Sequence, residues 1–205
     1  MAAPVVCISR STGAEGEAVG RVVAQRLGFR YVDDEVIEQA AEWAELAPAF
    51  VADVERRKSL LARVLGTVFE ETSVPRLPSG EPARGLPSDA DLRSLISNVL
   101  ASFADQGSVV IVAHAASFAL AQRGDVLRVL VTASAKTRTE RVATARGVDE
   151  GEAARQIARD DADRADYLKR FYQVDRELPT HFDLVVNTDV LTAERAADVI
   201  AAAAT

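Results

Sequence analysis

The chain has 205 residues, of which 48% are hydrophobic and 27% charged, and it carries a net charge of −7. These proportions are typical of a folded globular protein and exclude global disorder and collagen-like sequence. The negative charge argues against a nucleic-acid-binding surface. One Cys and two His exclude a disulfide framework and a Cys/His metal cluster. No apolar run approaches the roughly 18 residues of a membrane-spanning helix, and we expect a cytoplasmic protein that binds neither nucleic acid nor membrane.

Short apolar runs rich in β-branched residues predict five buried strands, at 4–8, 29–32, 108–112, 126–132 and 183–186. Helical patterns lie between them: one helix ends near Gly28 and another follows Asp33 or Asp34. Further helical patterns cover 48–71, 92–103, 134–146, 149–172 and 192–204, and a proline-rich loop covers 73–88. This alternation predicts an α/β fold with a parallel sheet that is covered by helices on both faces.

The turn after the first strand is a candidate binding site, because ligands of open parallel sheets lie beyond the carboxyl ends of the strands. A turn that opens a helix offers free backbone N–H groups to an anion, and hydroxyls and an arginine add further donors. Against this, the turn holds two carboxylates and lacks the G-x-x-x-x-G-K-[ST] string, so a plain strand-to-helix turn stays an alternative. The candidate phosphate-binding residues are Arg10, Ser11, Thr12, Gly13, Ala14, Glu15, Gly16 and Glu17.

A dinucleotide site is a second alternative for the same turn. Asp33 follows the second predicted strand, where an acidic residue would bind a ribose hydroxyl. However, Gly13, Gly16 and Gly20 are spaced G-x-x-G-x-x-x-G, which differs from the G-x-G-x-x-G of dinucleotide-binding turns.

The helix predicted over 149–172 carries an unusually dense set of charges. Such a face is commonly a solvated surface with ion pairs between successive helical turns. The functional interpretation makes it a lid whose arginines close on transferring phosphates and stabilise the charge of the transition state. The charged residues of this helix include Arg159, Asp163 and Arg164.

Three stretches of the sequence resemble the cytidylate kinase-like family of P-loop kinases, and together they cover nearly the whole chain. The first, VVCISRSTGAEGEAVGRVVAQRLGFRYVDDEVIEQAA (5–41), is similar to the family's strand, phosphate loop, helix and acceptor-site opening. The second, GSVVIVAHAASFAL (107–120), is similar to its third strand and the turn after it. The third, 127–192, includes ARDDADR (158–164), which matches the lid helix of cytidylate kinases in residue type and spacing.

The resemblance implies one P-loop kinase-like domain over 1–205 that transfers phosphate from ATP or GTP, with Mg²⁺ held mainly by the nucleotide, to a nucleoside monophosphate or similar small acceptor. Its core would comprise 1–47, 104–148 and 179–205, its helical acceptor-side insert 48–103 and its lid 149–178. The catalytic residues of the lid would be Arg159, Asp163 and Arg164. The acceptor would meet Asp33, Asp34, Gln39 and His114. The apolar insert and the aromatic residues of the lid favour a homodimer.

Departures from the family pattern support a second function class. Gly16 stands in the place of the P-loop lysine and Glu17 in that of the Mg²⁺-binding Ser/Thr, so the Walker A motif is degenerate. Gln39 replaces an arginine that binds the acceptor phosphate, and Ala113-His114 replace a Gly-Arg pair. His114 then serves either as a donor to the substrate or as a hydrogen-bonded structural residue. The alternative to an enzyme is a kinase-derived nucleotide sensor or protein-interaction module without turnover.

Overall fold

Five parallel strands form the central sheet of the computed structural model, which describes residues 3–33, 89–113 and 115–205, with side chains in the second range from residue 93. Their order is β2-β3-β1-β4-β5, and every neighbouring pair is parallel. This confirms the predicted α/β fold with a five-stranded parallel sheet. The strands are β1 (Val5–Arg10), β2 (Arg30–Val32), β3 (Val109–Val112), β4 (Val126–Thr132) and β5 (Leu184–Asn187).

Six α-helices lie within the described residues: α1 (Gly16–Leu27), α2 (Asp89–Gln106), α3 (Ala116–Ala119), α4 (Ala135–Arg146), α5 (Glu150–Tyr172) and α6 (Ala193–Ala204). Ser134, Asp149 and Thr192 cap α4, α5 and α6, because each side chain accepts a hydrogen bond from an N–H group of the first helical turn. The sequence pattern did not predict α3, since a helix of four residues has too little periodicity.

The two faces of the sheet are buried by different helices, as alternating side chains of a strand require. On one face, Val5 and Cys7 of β1 share a core with α2, α3 and the C-terminal half of α5. On the other face, Val6 and Ile8 share a core with α1 and α6. Residues 5–9 of β1 are fully buried, so the turn that follows β1 is fixed to the most deeply buried strand.

Several sequence-based predictions lie outside the described residues. They concern the helix after Asp34, the helical pattern at 48–71, the proline-rich loop at 73–88, and the acceptor-site residues Asp34, Gln39 and His114. The boundaries of core, insert and lid stay predictions.

Candidate functional site

The turn between β1 and α1, residues 11–15, has a backbone shape that suits an anion. We call it the β1–α1 turn. Gly13 has φ +81° and Glu15 has φ +62°, so two left-handed residues are separated by one residue. Alternation of this kind makes successive N–H groups converge on a small concave surface. The turn leads into the N-terminus of α1, which adds the positive end of the helix dipole.

The carbonyl oxygens of the β1–α1 turn point away from this surface, because each of the first four has a donor. These donors come from the turn itself, from α4 and from the residue after β5. The hydrogen bonds are Ala14 N to Ser11 O at 3.0 Å, Arg138 Nε to Thr12 O at 2.7 Å, Arg141 Nη1 to Gly13 O at 3.4 Å and Thr188 Oγ1 to Ala14 O at 3.0 Å.

The N–H groups of the same backbone are free. Those of Gly13, Glu15, Gly16 and Glu17 meet no acceptor among the described residues. In a planar trans peptide the C=O and N–H point in opposite directions. Because the Thr12 and Ala14 carbonyls are held behind the turn, the N–H groups of Gly13 and Glu15 point out of it. The carbonyl oxygens of the turn are therefore already hydrogen-bonded, whereas the N–H groups of Gly13 and Glu15 are available to a ligand.

Two glycines are required by close approaches at this turn. A Cβ on Gly13 would lie 2.8 Å from the carbonyl oxygen of Arg138, so the backbone of α4 packs directly on the turn. A Cβ on Gly16 would clash with the Cβ of Arg10, whose side chain crosses the start of α1. These contacts fix the turn against α4 on one side and against β1 on the other.

Each glutamate of this region faces an arginine. Glu17 Oε1 lies 2.5 Å from Arg10 Nε, and Glu15 Oε2 lies 3.6 Å from Arg141 Nη2. Both carboxylates are more than two-fifths exposed. Arg10, which the sequence predicts as a phosphate clamp, is thus engaged by Glu17, and the negative charges of the turn are locally balanced.

Asp33 lies just beyond the carboxyl end of β2, at the same edge of the sheet as the β1–α1 turn. It accepts a hydrogen bond of 2.8 Å from the Tyr31 hydroxyl, and Arg21 Nη2 lies 3.6 Å from it. Burial, and after it the hydrogen bond to Asp33, raises the pKa of the Tyr31 phenol. Tyr31 therefore stays neutral and holds the Asp33 carboxylate in place.

The three predicted lid residues have different surroundings on α5. Arg159 is exposed, and its Nε donates to the carbonyl of Arg155 one turn earlier. Asp163 is half-buried and makes no ion pair with any described residue. Arg164 is 9% exposed at its side chain and binds both oxygens of Glu177 at 2.7 Å, while its Nη1 is buried with no acceptor among the described residues.

The C-terminal half of α5 is part of the core. Tyr167, Leu168 and Phe171 are at most 8% exposed and belong to the cluster that includes β1. Tyr167 and Phe171, two of the aromatic residues of this helix, thus pack against the body of the protein. The C-terminal half of α5 is therefore fixed to the core of the protein.

A cavity of about 460 Å³ opens beside the β1–α1 turn. It is lined by Glu15, Ala18 and Arg141 and by residues 188–194, which run from the end of β5 into the first turn of α6. Val190 is 86% exposed at its rim. The cavity is a shallow groove that is open to solvent along much of its length.

Four residues of this site were not predicted from the sequence: Arg138, Arg141, Asp161 and Thr188. Arg138 and Arg141 come from α4, Thr188 follows β5, and Asp161 of α5 binds Arg138 Nη2 at 2.7 Å. The available signal is two arginines three residues apart in the first turns of a helix that follows a buried strand. Residues at this spacing share a helix face, and the helix begins at the carboxyl edge of the sheet, where the ligand is expected.

The described residues contain no group of three or more His, Cys, Asp or Glu arranged to hold a metal ion. In the same part of the chain, none of the helices is both long and apolar enough to cross a membrane.

A sequence profile of the cytidylate kinase-like family matches residues 5–190. The chain belongs to the cytidylate kinase-like family. This confirms the resemblance seen in the sequence, whereas a comparison with curated protein sequences gives no match.

Three solved structures share the fold of this family member. A protein from Eubacterium ventriosum is 17% identical with a TM-score of 0.68, over 98% of this chain and 97% of the other. Shikimate kinase from Bacteroides thetaiotaomicron is 14% identical with a TM-score of 0.50, over 96% and 95%. TT1252 from Thermus thermophilus is 16% identical with a TM-score of 0.50, over 98% and 97%. The fold is thus P-loop kinase-like.

Proposed function

We propose that this protein binds a nucleoside triphosphate at the β1–α1 turn and transfers its terminal phosphoryl group to a small acceptor, a nucleoside monophosphate or a similar molecule. The observation that supports the proposal most strongly is the orientation of the peptide groups in the turn. Four successive carbonyls from Ser11 to Ala14 accept hydrogen bonds, while the N–H groups of Gly13 and Glu15 are free. Membership of the cytidylate kinase-like family makes phosphate the expected anion.

The cavity beside the turn is the proposed site of the nucleoside. It shares Glu15 with the turn, so a base and ribose held there would place their phosphates toward the free N–H groups. The Arg141 guanidinium offers a planar surface for a base, and the exposed side chain of Val190 offers an apolar one. The carboxylates of Asp189 and Glu194 at the same cavity accept hydrogen bonds from sugar hydroxyls or exocyclic amines.

Phosphoryl transfer needs positive charge where the transition state develops negative charge. The candidates are Arg10 at the turn and Arg159 and Arg164 on α5, with Asp163 beside them. Arg164 Nη1 meets no acceptor among the described residues, and Arg10 becomes available when its ion pair with Glu17 opens. In this proposal these arginines take over the role of the P-loop lysine that the sequence lacks.

Mg²⁺ enters the proposal together with the nucleotide. Ser11 Oγ and Thr132 Oγ1 lie 3.3 Å apart, at the carboxyl ends of β1 and β4. Oxygen donors of this kind fit an ion that keeps most of its ligands from water and substrate phosphates. When bound, Mg²⁺ neutralises part of the phosphate charge, and these two hydroxyls are the protein groups that would hold it.

The acceptor is proposed to lie toward β2, where Asp33 follows the strand. Asp33 is held by Tyr31 and Arg21 and is suited to accept hydrogen bonds from a sugar or a base. Asp34, Gln39 and His114 stay the other proposed acceptor residues.

The proposal is tested by thermal denaturation with Mg²⁺ and a panel of ATP, GTP, CMP, UMP, AMP, GMP and dCMP. A ligand at about 100 times its dissociation constant adds roughly 2.7 kcal/mol of stability. We expect a shift with one triphosphate and a further shift with one monophosphate, which is then assayed for turnover. No shift with any triphosphate would contradict the proposal.

A second candidate function is a nucleotide sensor or interaction module without turnover. It is favoured by one observation: two of the proposed phosphate-binding arginines are engaged by glutamates, Arg10 by Glu17 and Arg164 by Glu177. A sensor would show a shift with a triphosphate, no additional shift with any monophosphate, and no product formation.

A further inference from the structure

Arg138 is the most deeply buried arginine beside the β1–α1 turn. It is 8% exposed, its Nε donates to Thr12 O at 2.7 Å, and its Nη2 donates to Asp161 Oδ1 at 2.7 Å. A guanidinium is a rigid planar fork, so two short bonds from different nitrogens fix its orientation. The side chain thereby links the backbone of the turn to α5.

We propose that Arg138 and Asp161 form a positioning pair for the triphosphate site: Arg138 sets the orientation of the Thr12–Gly13 peptide group, and Asp161 sets the orientation of Arg138. The inference rests on the function proposed above, because anion binding is what requires this orientation. If the peptide group turned over, the Thr12 carbonyl would face the anion and the Gly13 N–H would face away. A donor would be replaced by an acceptor, which repels phosphate oxygens.

Asp161 is suited to this role because α5 is held on both sides of it. Toward its N-terminus, Ala153 and Ile157 pack with Val142 of α4 in a small apolar cluster. Toward its C-terminus, Tyr167 and Leu168 are built into the core under β1. The Asp161 backbone is therefore fixed relative to α4, and its carboxylate is a rigid anchor for Arg138.

The same helix carries the proposed phosphate-binding arginines. Arg164 lies three residues after Asp161 and shares its face of α5, whereas Arg159 lies two residues before it and projects about 160° away. Since Asp161 connects α5 to the turn through Arg138, the pair couples the shape of the turn to the placement of Arg164, and not to that of Arg159. Occupation of the turn by an anion should then stabilise the N-terminal half of α5.

The test compares Asp161→Ala with a matched control on the same helix, Asp166→Ala. The two carboxylates are 45% and 42% exposed, and each makes one ion pair, but the partner of Asp166 is Arg170 on its own helix. Alanine is a strong helix former at both positions. A third variant, Asp161→Glu, keeps the carboxylate and tests for rescue.

Hydrogen exchange of the Ala14 amide, which is bonded within the turn to Ser11 O, is measured without nucleotide. Loss of one charge-assisted anchor should speed this exchange about tenfold in Asp161→Ala. The rate should stay at the wild-type value in Asp166→Ala, and Asp161→Glu should recover most of the protection. Urea unfolding of all variants separates this local effect from a change in global stability.

Triphosphate affinity is measured on the same proteins with Mg²⁺ and ATP or GTP, and we expect it to fall about tenfold in Asp161→Ala alone. Equal exchange rates in the two alanine variants would overturn the positioning role, whatever the nucleotide does. Faster exchange with unchanged triphosphate affinity would overturn the link to the site. If the wild type binds no triphosphate but exchange is still faster in Asp161→Ala, the pair does position the turn. In that case it is the proposed function that is contradicted.

Discussion

Arg10 Nε lies 2.5 Å from Glu17 Oε1, and this ion pair spans the junction between the last residue of β1 and the first turn of α1. The Arg10 side chain reaches Glu17 by crossing Gly16, the one residue type that leaves room for it. The pair places a carboxylate and a guanidinium beside free backbone N–H groups. A triphosphate that binds there must compete with Glu17 for Arg10.

We expect Glu17→Gln to bind a triphosphate about fivefold more tightly than the wild type, since the variant removes a like charge and frees Arg10. Isothermal calorimetry with ATP or GTP measures the affinity. The control is Glu140→Gln, which makes the same charge change on α4, where Glu140 lies near Lys136. An unchanged or weaker affinity for Glu17→Gln would show that the ion pair does not limit binding.

Glu15 holds a backbone conformation that favours glycine. Its φ of +62° brings Cβ close to the following carbonyl oxygen, and its contact with Arg141 at 3.6 Å compensates weakly because both groups are partly exposed. We expect Glu15→Gly to raise the free energy of unfolding by roughly 0.5–1 kcal/mol. Glu15→Gln keeps the Cβ and should give no such gain. Urea unfolding compares the two, and equal effects would mean that the backbone is not strained.

Thr188 fixes the Ala14–Glu15 peptide group, the second peptide group of the β1–α1 turn whose N–H points outward. It is 1% exposed, its hydroxyl donates to Ala14 O and it accepts from Arg141 Nη1 at 3.0 Å. Thr188→Val keeps the shape but leaves a buried carbonyl without a donor, so we expect a loss of about 1–3 kcal/mol of stability and weaker triphosphate binding.

The control for Thr188→Val is Thr144→Val, because the exposed Thr144 hydroxyl donates to Glu140 O of its own helix and does not contact the β1–α1 turn. If both variants bind the triphosphate equally well, Thr188 does not position the turn.

Arg128 and Asp183 connect β4 to the start of β5 and make the stability dependent on pH. Arg128 donates to Asp183 through its backbone N, Nε and Nη2 at 2.7–3.0 Å, and these bonds lower the pKa of Asp183. A lowered carboxylate pKa contributes stability above the unfolded value of about 4, and this contribution is lost as the pH falls through the folded pKa.

We therefore expect Asp183→Asn to lose less stability than the wild type between neutral pH and about pH 3. Because Asp183 is 38% exposed, water screens the pair and the difference should be about 0.5–1 kcal/mol. Urea unfolding at both pH values measures it. The control Asp175→Asn alters a far more exposed pair with Lys169 and should behave as the wild type; an identical acid response for Asp183→Asn would contradict the role of this pair.

Much of the fold could be predicted from the sequence because its signals are local. Each observed strand lies within two residues of its predicted bounds, since runs such as 109–112 consist of buried β-branched residues. Ser134, Asp149 and Thr192 mark helix starts because their side chains cap the residues that follow them. The position of the candidate site followed from one rule, that ligands lie beyond the carboxyl ends of parallel strands.

The contacts that shape the site could not be predicted in this way. Arg138 and Thr12 are 126 positions apart, and Thr188 and Ala14 are 174 apart, so no local pattern connects them. The sequence also presented Glu15 and Glu17 as uncompensated charges in the turn, because their arginine partners depend on side-chain directions that only the tertiary structure sets. The position of the turn could therefore be predicted from the sequence, but the orientation of its peptide groups could not.

The central claim, that the β1–α1 turn presents free N–H groups to a triphosphate, is tested most directly by amide NMR spectra recorded while ATP or GTP is added with Mg²⁺. The amide signals of Gly13, Glu15 and Gly16 should shift downfield as they gain phosphate acceptors, and those of exposed residues in α6 should not move. Saturable shifts at these three residues would support the account. Triphosphate binding that leaves them unmoved, or no binding at all, would contradict it.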